Sequence, residues 1–229
     1  MIPILQILTG ESSHPPAVTP TVYAILGALV VVAIAMTRLY YHHSFYQHFW
    51  KGLQYLQVLA LYTWYLLAHF DLTEALPFYH CRLATLAILF LPQGRLKTYF
   101  AYLGTAGSIC ALLYPVFDPY PFPHVTILSY VFGHVALLIN SLTYLYRHQE
   151  WRHLSFQRVL IMTFVMNLLI GVIDLLLGAN YGFLRETPLL AGKNGVVNVL
   201  LVTLVIAVLI MIVQKLIAKD SRRYSQSRT

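Results

Sequence analysis

The chain has 229 residues, 59% of them hydrophobic and only 10% charged, with a formal net charge of +7. A soluble domain of this length needs more charge to stay dissolved, so composition excludes a soluble globular enzyme. Apolar runs near the ~20 residues that a spanning helix needs recur along the chain, which predicts an all-α polytopic membrane protein.

In chain order, the first 20 residues lack a basic leader, and MIPILQIL is too short for the core of a signal peptide. Residues 1–20 are therefore expected as an exported tail ahead of a signal-anchor helix. Seven spans are expected near 22–40, 53–70, 80–91, 98–114, 124–146, 159–177 and 195–217. Together they make one seven-helix transmembrane domain over 21–217, followed by a basic cytoplasmic tail over 218–229. The third span is too short to cross at 1.5 Å per residue, so it is expected to sit in a thinned region, to tilt, or to extend back to Ala75.

Basic residues set the orientation. With the N-terminus outside and the C-terminus cytoplasmic, only Arg82, Arg185 and Lys193 face outward. The inner segments then collect Arg38, Lys51, Arg95, Lys97, Arg147, Arg152, Arg158, Lys215, Lys219, Arg222, Arg223 and Arg228. The positive charge is thus a topology signal and implies no nucleic-acid partner.

Polar residues inside the spans carry the functional information, because each is costly to insert and turns toward the bundle interior. On the sixth span Thr163, Asn167, Gly171 and Asp174 recur every three to four residues and form a stripe on one helix face. His134 lies ten residues beyond His124, about 15 Å further along the fifth helix. With this topology Asp174, His80, Cys81, Arg82, His124, His134, Asn180, Tyr181 and Asn198 all fall in the outer half. Asn167 and Asn198 read equally well as interhelical hydrogen-bonding residues, and His124 as a cap at a helix start.

The stretch ALPFYHCRLATLAILFLP, residues 75–92, is the most informative. Pro77 suits a first helical turn, which would put Cys81 in the first two turns, where unpaired amides and the positive dipole end favour a thiolate. His80 and Arg82 add positive potential, so Cys81 has the ingredients of a nucleophile. A disulfide to Cys110 is the competing reading. Metal binding by adjacent His80 and Cys81 is disfavoured by their spacing, and neither a metal nor a cofactor is expected.

The segments LPFYHC, GTAGSICALLYP, FPHVTILSYVFGH and NYGFLRETP, in that order and spacing, resemble the YwaF-type bacterial integral membrane proteins and the related animal transmembrane protein 164. The resemblance covers roughly residues 50–215. It implies a seven-helix fold, a bacterial plasma-membrane location and, from the animal relatives, a cysteine-dependent phospholipid acyltransferase activity on ether lipids. The family cysteine after Leu-Pro matches Cys81, the buried histidine of the fifth span matches His134, and the Asn-Tyr after the sixth span matches Asn180 and Tyr181. The family pattern Leu-Pro-x-His-x-Cys is not kept, since Tyr79 stands two residues before Cys81 and His80 directly precedes it.

The expected chemistry is acyl transfer. Cys81 attacks an ester carbonyl to give a thioester, and His134 takes the proton of the acceptor hydroxyl. Arg82 would hold a lipid phosphate, Asp174 would orient a histidine, and Asn180 or Tyr181 would donate to the oxyanion. Membrane phospholipids are the expected acyl donor and acceptor. The competing class is a lipid or small-solute transporter or a sensor, with Asp174 and His134 as a proton relay.

Overall fold

A computed structural model describes residues 7–186 and 194–226, the side chains of 221–226 excepted. Lys193, Arg228 and the side chains of Arg222 and Arg223, used in the charge argument, lie outside the described residues. Among the described residues the chain is all-helical, with no strand. The α-helices are α1 (Pro20–Tyr40), α2 (Ser44–Ala68), α3 (His80–Phe90), α4 (Arg95–Leu113), α5 (Val125–Arg147), α6 (Phe156–Leu177) and α7 (Gly195–Gln226).

The helix ends follow local chemistry. Thr19 caps α1 by accepting from the Val22 amide ahead of Pro20, and Ser155 caps α6 by accepting from the Arg158 amide. Gly178 closes α6 at φ 70, a left-handed conformation that costs a glycine nothing.

Among the described residues four helices, α1, α5, α6 and α7, are long and apolar enough to cross a membrane. α6 illustrates the arrangement. It buries Val159, Thr163, Met166, Asn167, Ile170 and Asp174, and exposes Ile161, Phe164, Leu168, Leu175 and Leu176. A helix with its polar groups inward and its leucines outward suits lipid as the surrounding solvent. α2 has the length but interrupts its apolar run with Gln47, Lys51, Gln54 and Gln57, and α4 opens on Arg95 and Lys97.

α3 forms where the short third span is expected, near 80–91. It has 11 residues, about 16 Å of helix, and starts at His80 with Tyr79 as N-cap instead of extending back to Ala75. Pro77 therefore lies outside the helix, not in its first turn. Pro77 disfavours a helical Leu76, and side chains claim the backbone there. Arg82 Nη1 donates to the carbonyls of Glu74 (2.6 Å) and Leu76 (3.3 Å), and the Leu76 amide donates to Tyr181 Oη at 3.1 Å.

The chain divides into two compact units: Met1–Asp71 with Gly107–Thr143, and Leu72–Ala106 with Tyr144–Thr229. In the first unit the N-terminal segment is pinned. Trp64 Nε1 donates to the Leu8 carbonyl at 3.2 Å, and the Ser13 amide donates to the Pro119 carbonyl at 2.7 Å. In the second unit α6 packs against α7, and the Gln214 side chain pairs with both the amide and the carbonyl of Leu154 (2.9 and 3.1 Å).

Candidate functional site at the mouth of α3

The second unit gathers most of the expected site residues. Along α6 each polar stripe residue meets a different neighbour. Thr163 accepts from the Tyr99 hydroxyl at 3.0 Å, and Gly171 faces Val199. Asn167, fully buried, bridges two helices: its Oδ1 lies 2.7 Å from His80 Nε2 on α3, and its Nδ2 donates to Thr203 Oγ1 on α7 at 2.9 Å.

Asp174, also fully buried, accepts the Tyr181 amide on Oδ1 at 2.7 Å, while its Oδ2 has no hydrogen-bond partner among the described residues. The side chain that holds a histidine is thus Asn167, and Asp174 shapes the chain after α6. That segment is built tightly. Asn180 Oδ1 accepts the amides of Arg185 (2.9 Å) and Glu186 (3.1 Å), and its Nδ2 donates to the Glu186 carbonyl at 3.0 Å. Asn198, from α7, donates to the Arg185 carbonyl at 2.9 Å.

Tyr181 locks this segment to the approach to α3. Its hydroxyl donates to the Leu72 carbonyl at 2.7 Å and accepts the Leu76 amide, and its ring meets Phe78 and Tyr79 edge-on. Gly182 follows at φ 64, and a Cβ there would run into the His80 ring. Only glycine meets both demands, since the left-handed backbone and the close approach each disfavour a side chain.

Cys81 is the second residue of α3 and is partly exposed. Cys81 and Cys110 are both thiols in the structure. Successive helical residues point about 100° apart, so Cys81 and His80 emerge from adjacent faces of the same first turn. Arg82 commits Nη1 to the carbonyls of Glu74 and Leu76, and its guanidinium lies 4.8 Å from the Tyr79 ring centre. The first turn of α3 thus carries an imidazole, a thiol and a guanidinium on three successive residues.

His134 and His124 belong to the first unit. His134 Nδ1 lies 2.7 Å from the Tyr130 carbonyl one turn back on α5. A carbonyl only accepts, so Nδ1 carries the proton and the neutral ring keeps its basic lone pair on Nε2. His124 is fully buried and structural in its contacts. Its Nδ1 accepts the Thr126 amide at 3.3 Å, as a capping side chain does, and its Nε2 donates to the Thr9 carbonyl at 3.0 Å. The ring stacks on Tyr120 and meets Trp64 edge-on.

The first unit also holds a polar seam that reading the sequence missed. Gln54 Nε2 donates to Gln57 Oε1 (3.0 Å) and to the Gly133 carbonyl (3.4 Å), and Gln57 Nε2 donates to Ser129 Oγ at 2.6 Å. A Cβ at Gly133 would stand 2.9 Å from Gln57, so the absent side chain makes room for the glutamine. The available signal was the spacing of Gln47, Gln54 and Gln57 on one face of an otherwise apolar helix. Among the described residues no three His, Cys, Asp or Glu side chains group as a metal site requires.

No curated protein and no solved structure matches the chain. The sequence profile of the TMEM164 family matches residues 10–217, and this integral membrane protein belongs to the TMEM164 family.

Proposed function

We propose that this chain is a phospholipid acyltransferase that works through a thioester on Cys81. The observation that supports it is the first turn of α3, where a partly exposed thiol is flanked in sequence by an imidazole held by Asn167 and by a guanidinium. Amides in a first helical turn and the neighbouring Arg82 guanidinium favour the thiolate, the reactive form. The thiol gives its proton to a histidine, the thiolate attacks an acyl ester, the donor's oxygen leaves with that proton, and an acceptor hydroxyl then displaces the thiol. A histidine takes the acceptor's proton. The family resemblance assigns that role to His134.

The proposal extends to membrane placement. All seven helices lie in the bilayer, with the N-terminus outside, the C-terminus cytoplasmic and the mouth of α3 toward the outer leaflet, in a bacterial plasma membrane. Acyl-CoA, a cytosolic donor, is then poorly placed. A neighbouring phospholipid serves instead, and the reaction is a transacylation.

The test is the intact mass of detergent-purified wild type and Cys81→Ser after incubation with a defined phospholipid. An acyl-sized, hydroxylamine-labile adduct on wild type alone supports the thioester. An unmodified wild type, or strict dependence on acyl-CoA, removes the corresponding part of the proposal.

Asp174 favours a second reading. A fully buried carboxyl with one unpartnered oxygen inside a spanning helix is a feature of proton-handling membrane proteins. A proton-coupled transporter or sensor keeps its function in Cys81→Ser and loses it in Asp174→Asn, the reverse of the pattern for acyl transfer.

A further inference from the structure

His80 is held in a way that its position in sequence does not explain. Its Nε2 faces Asn167 Oδ1 at 2.7 Å, and the same amide's Nδ2 faces Thr203 Oγ1 at 2.9 Å. Asn167 is fully buried and Thr203 nearly so, so no water competes for these contacts. On the other side the ring lies against Gly182, which offers no side chain and is itself fixed in place by the Asp174 bond to its neighbour Tyr181.

The amide orientation determines the protonation of the ring. Oδ1 accepts only, so the proton sits on Nε2 and the basic lone pair sits on Nδ1. His134 takes the opposite tautomer, and a carbonyl of its own helix is enough to set it. For His80, three helices cooperate. Fixing the tautomer of an imidazole through an oriented third group is the logic of a nucleophile–histidine–amide constellation.

From this geometry we infer that His80 is the base of the transfer step and that Asn167, backed by Thr203, is the positioning residue that holds it as the Nε2–H tautomer. The inference rests on the acyltransferase reading above and changes which histidine serves it. In the step, the acceptor hydroxyl gives its proton to His80 Nδ1 as its oxygen bonds to the thioester carbonyl carbon. The carbon–sulfur bond then breaks, and the Cys81 sulfur leaves and recovers the proton from Nδ1. The acceptor is a lipid alcohol, such as a lysophospholipid hydroxyl, and the ester formed balances the thioester consumed.

The experiment combines a spectroscopic and a kinetic readout on the full chain in nanodiscs. Histidine-labelled ¹⁵N protein reports each tautomer, with the His80 signals identified by their loss in His80→Gln. Wild type is expected to show His80 with its proton on Nε2, and Asn167→Leu a mixture of tautomers. Transfer from a defined phospholipid to a lysophospholipid is expected to lose about 100-fold in kcat in His80→Gln, the scale of general-base catalysis. Asn167→Leu is expected to lose about 10-fold with KM little changed, and Thr203→Val less, since it removes only the outer contact.

Two results would overturn the inference: a wild-type His80 protonated on Nδ1, or full transfer activity in His80→Gln. If Asn167→Leu fails to fold, Thr203→Val carries the same comparison. Absence of transfer in wild type with its fold intact would sink the acyltransferase reading and the base assignment together, and so differs from transfer that persists without His80.

Discussion

Asn167 Oδ1 stands 2.7 Å from His80 Nε2, and through the same amide α3, α6 and α7 share one hydrogen-bonded chain ending at Thr203. The chain has a stability consequence apart from chemistry. Hydrogen bonds between membrane helices contribute about 0.6 kcal/mol on average, so losing two should cost Asn167→Leu about 1 kcal/mol. Thr203→Val should cost less, and the double variant less than the sum, since both act on one network. Unfolding in mixed detergent and SDS measures all three.

Gly182 and Gly178 separate two costs of adding a methyl group. Both have positive φ, 64 and 70, so each alanine variant should lose about 1–2 kcal/mol through the left-handed backbone. A Cβ at Gly178 meets only the end of Arg185 at 4.0 Å, whereas one at Gly182 collides with the His80 ring. Gly182→Ala should therefore be the less stable by a further margin, and it alone should perturb the His80 resonances. Gly52, inside α2 with nothing within 4 Å of its would-be Cβ, has the opposite sign. Gly52→Ala should stabilise by about 0.5–1 kcal/mol through helix propensity. Melting temperatures of the three variants give the ordering.

The glutamine seam of the first unit allows a paired comparison. Gln57 joins Gln54 to Ser129, so Gln57→Met leaves a buried serine hydroxyl and the Gln54 amide without that partner. It should cost about 1–2 kcal/mol. Gln54 is 1% exposed, and its Oε1 has no hydrogen-bond partner among the described residues. Gln54→Met removes that unsatisfied oxygen along with one amide donor, and should be nearly neutral. Equal losses in the two variants, read by the same unfolding assay, would contradict the hydrogen-bond assignment of the seam.

Much of the architecture was legible in the order of residues. Apolar runs located the helices because lipid makes burial of backbone polar groups obligatory, and an α-helix satisfies them within its own segment. The stripe Thr163, Asn167, Gly171 and Asp174 was legible for a related reason, as the 3.6-residue period determines which residues share a face. Cys81 beside His80 and Arg82 was visible as a concentration of chemistry at one helix start.

The tertiary structure decided what those residues face. Periodicity names a face but not the neighbour across it, because the rotation and shift of a neighbouring helix leave no mark in one helix's own pattern. So Asp174, the residue expected to orient a histidine, takes the Tyr181 amide, and Asn167, which read equally well as a structural contact, takes His80. The place of Pro77, outside α3 and not in its first turn, was hidden for a similar reason. Arg82 and Tyr181 claim the backbone of Glu74 and Leu76, and Tyr181 reaches it from more than a hundred residues along the chain. Local sequence determined where helices form and which faces are polar. Contacts between helices determined the partner of His80, the place of Gly182 and the partners of each buried amide, because those depend on distances that only the folded chain creates.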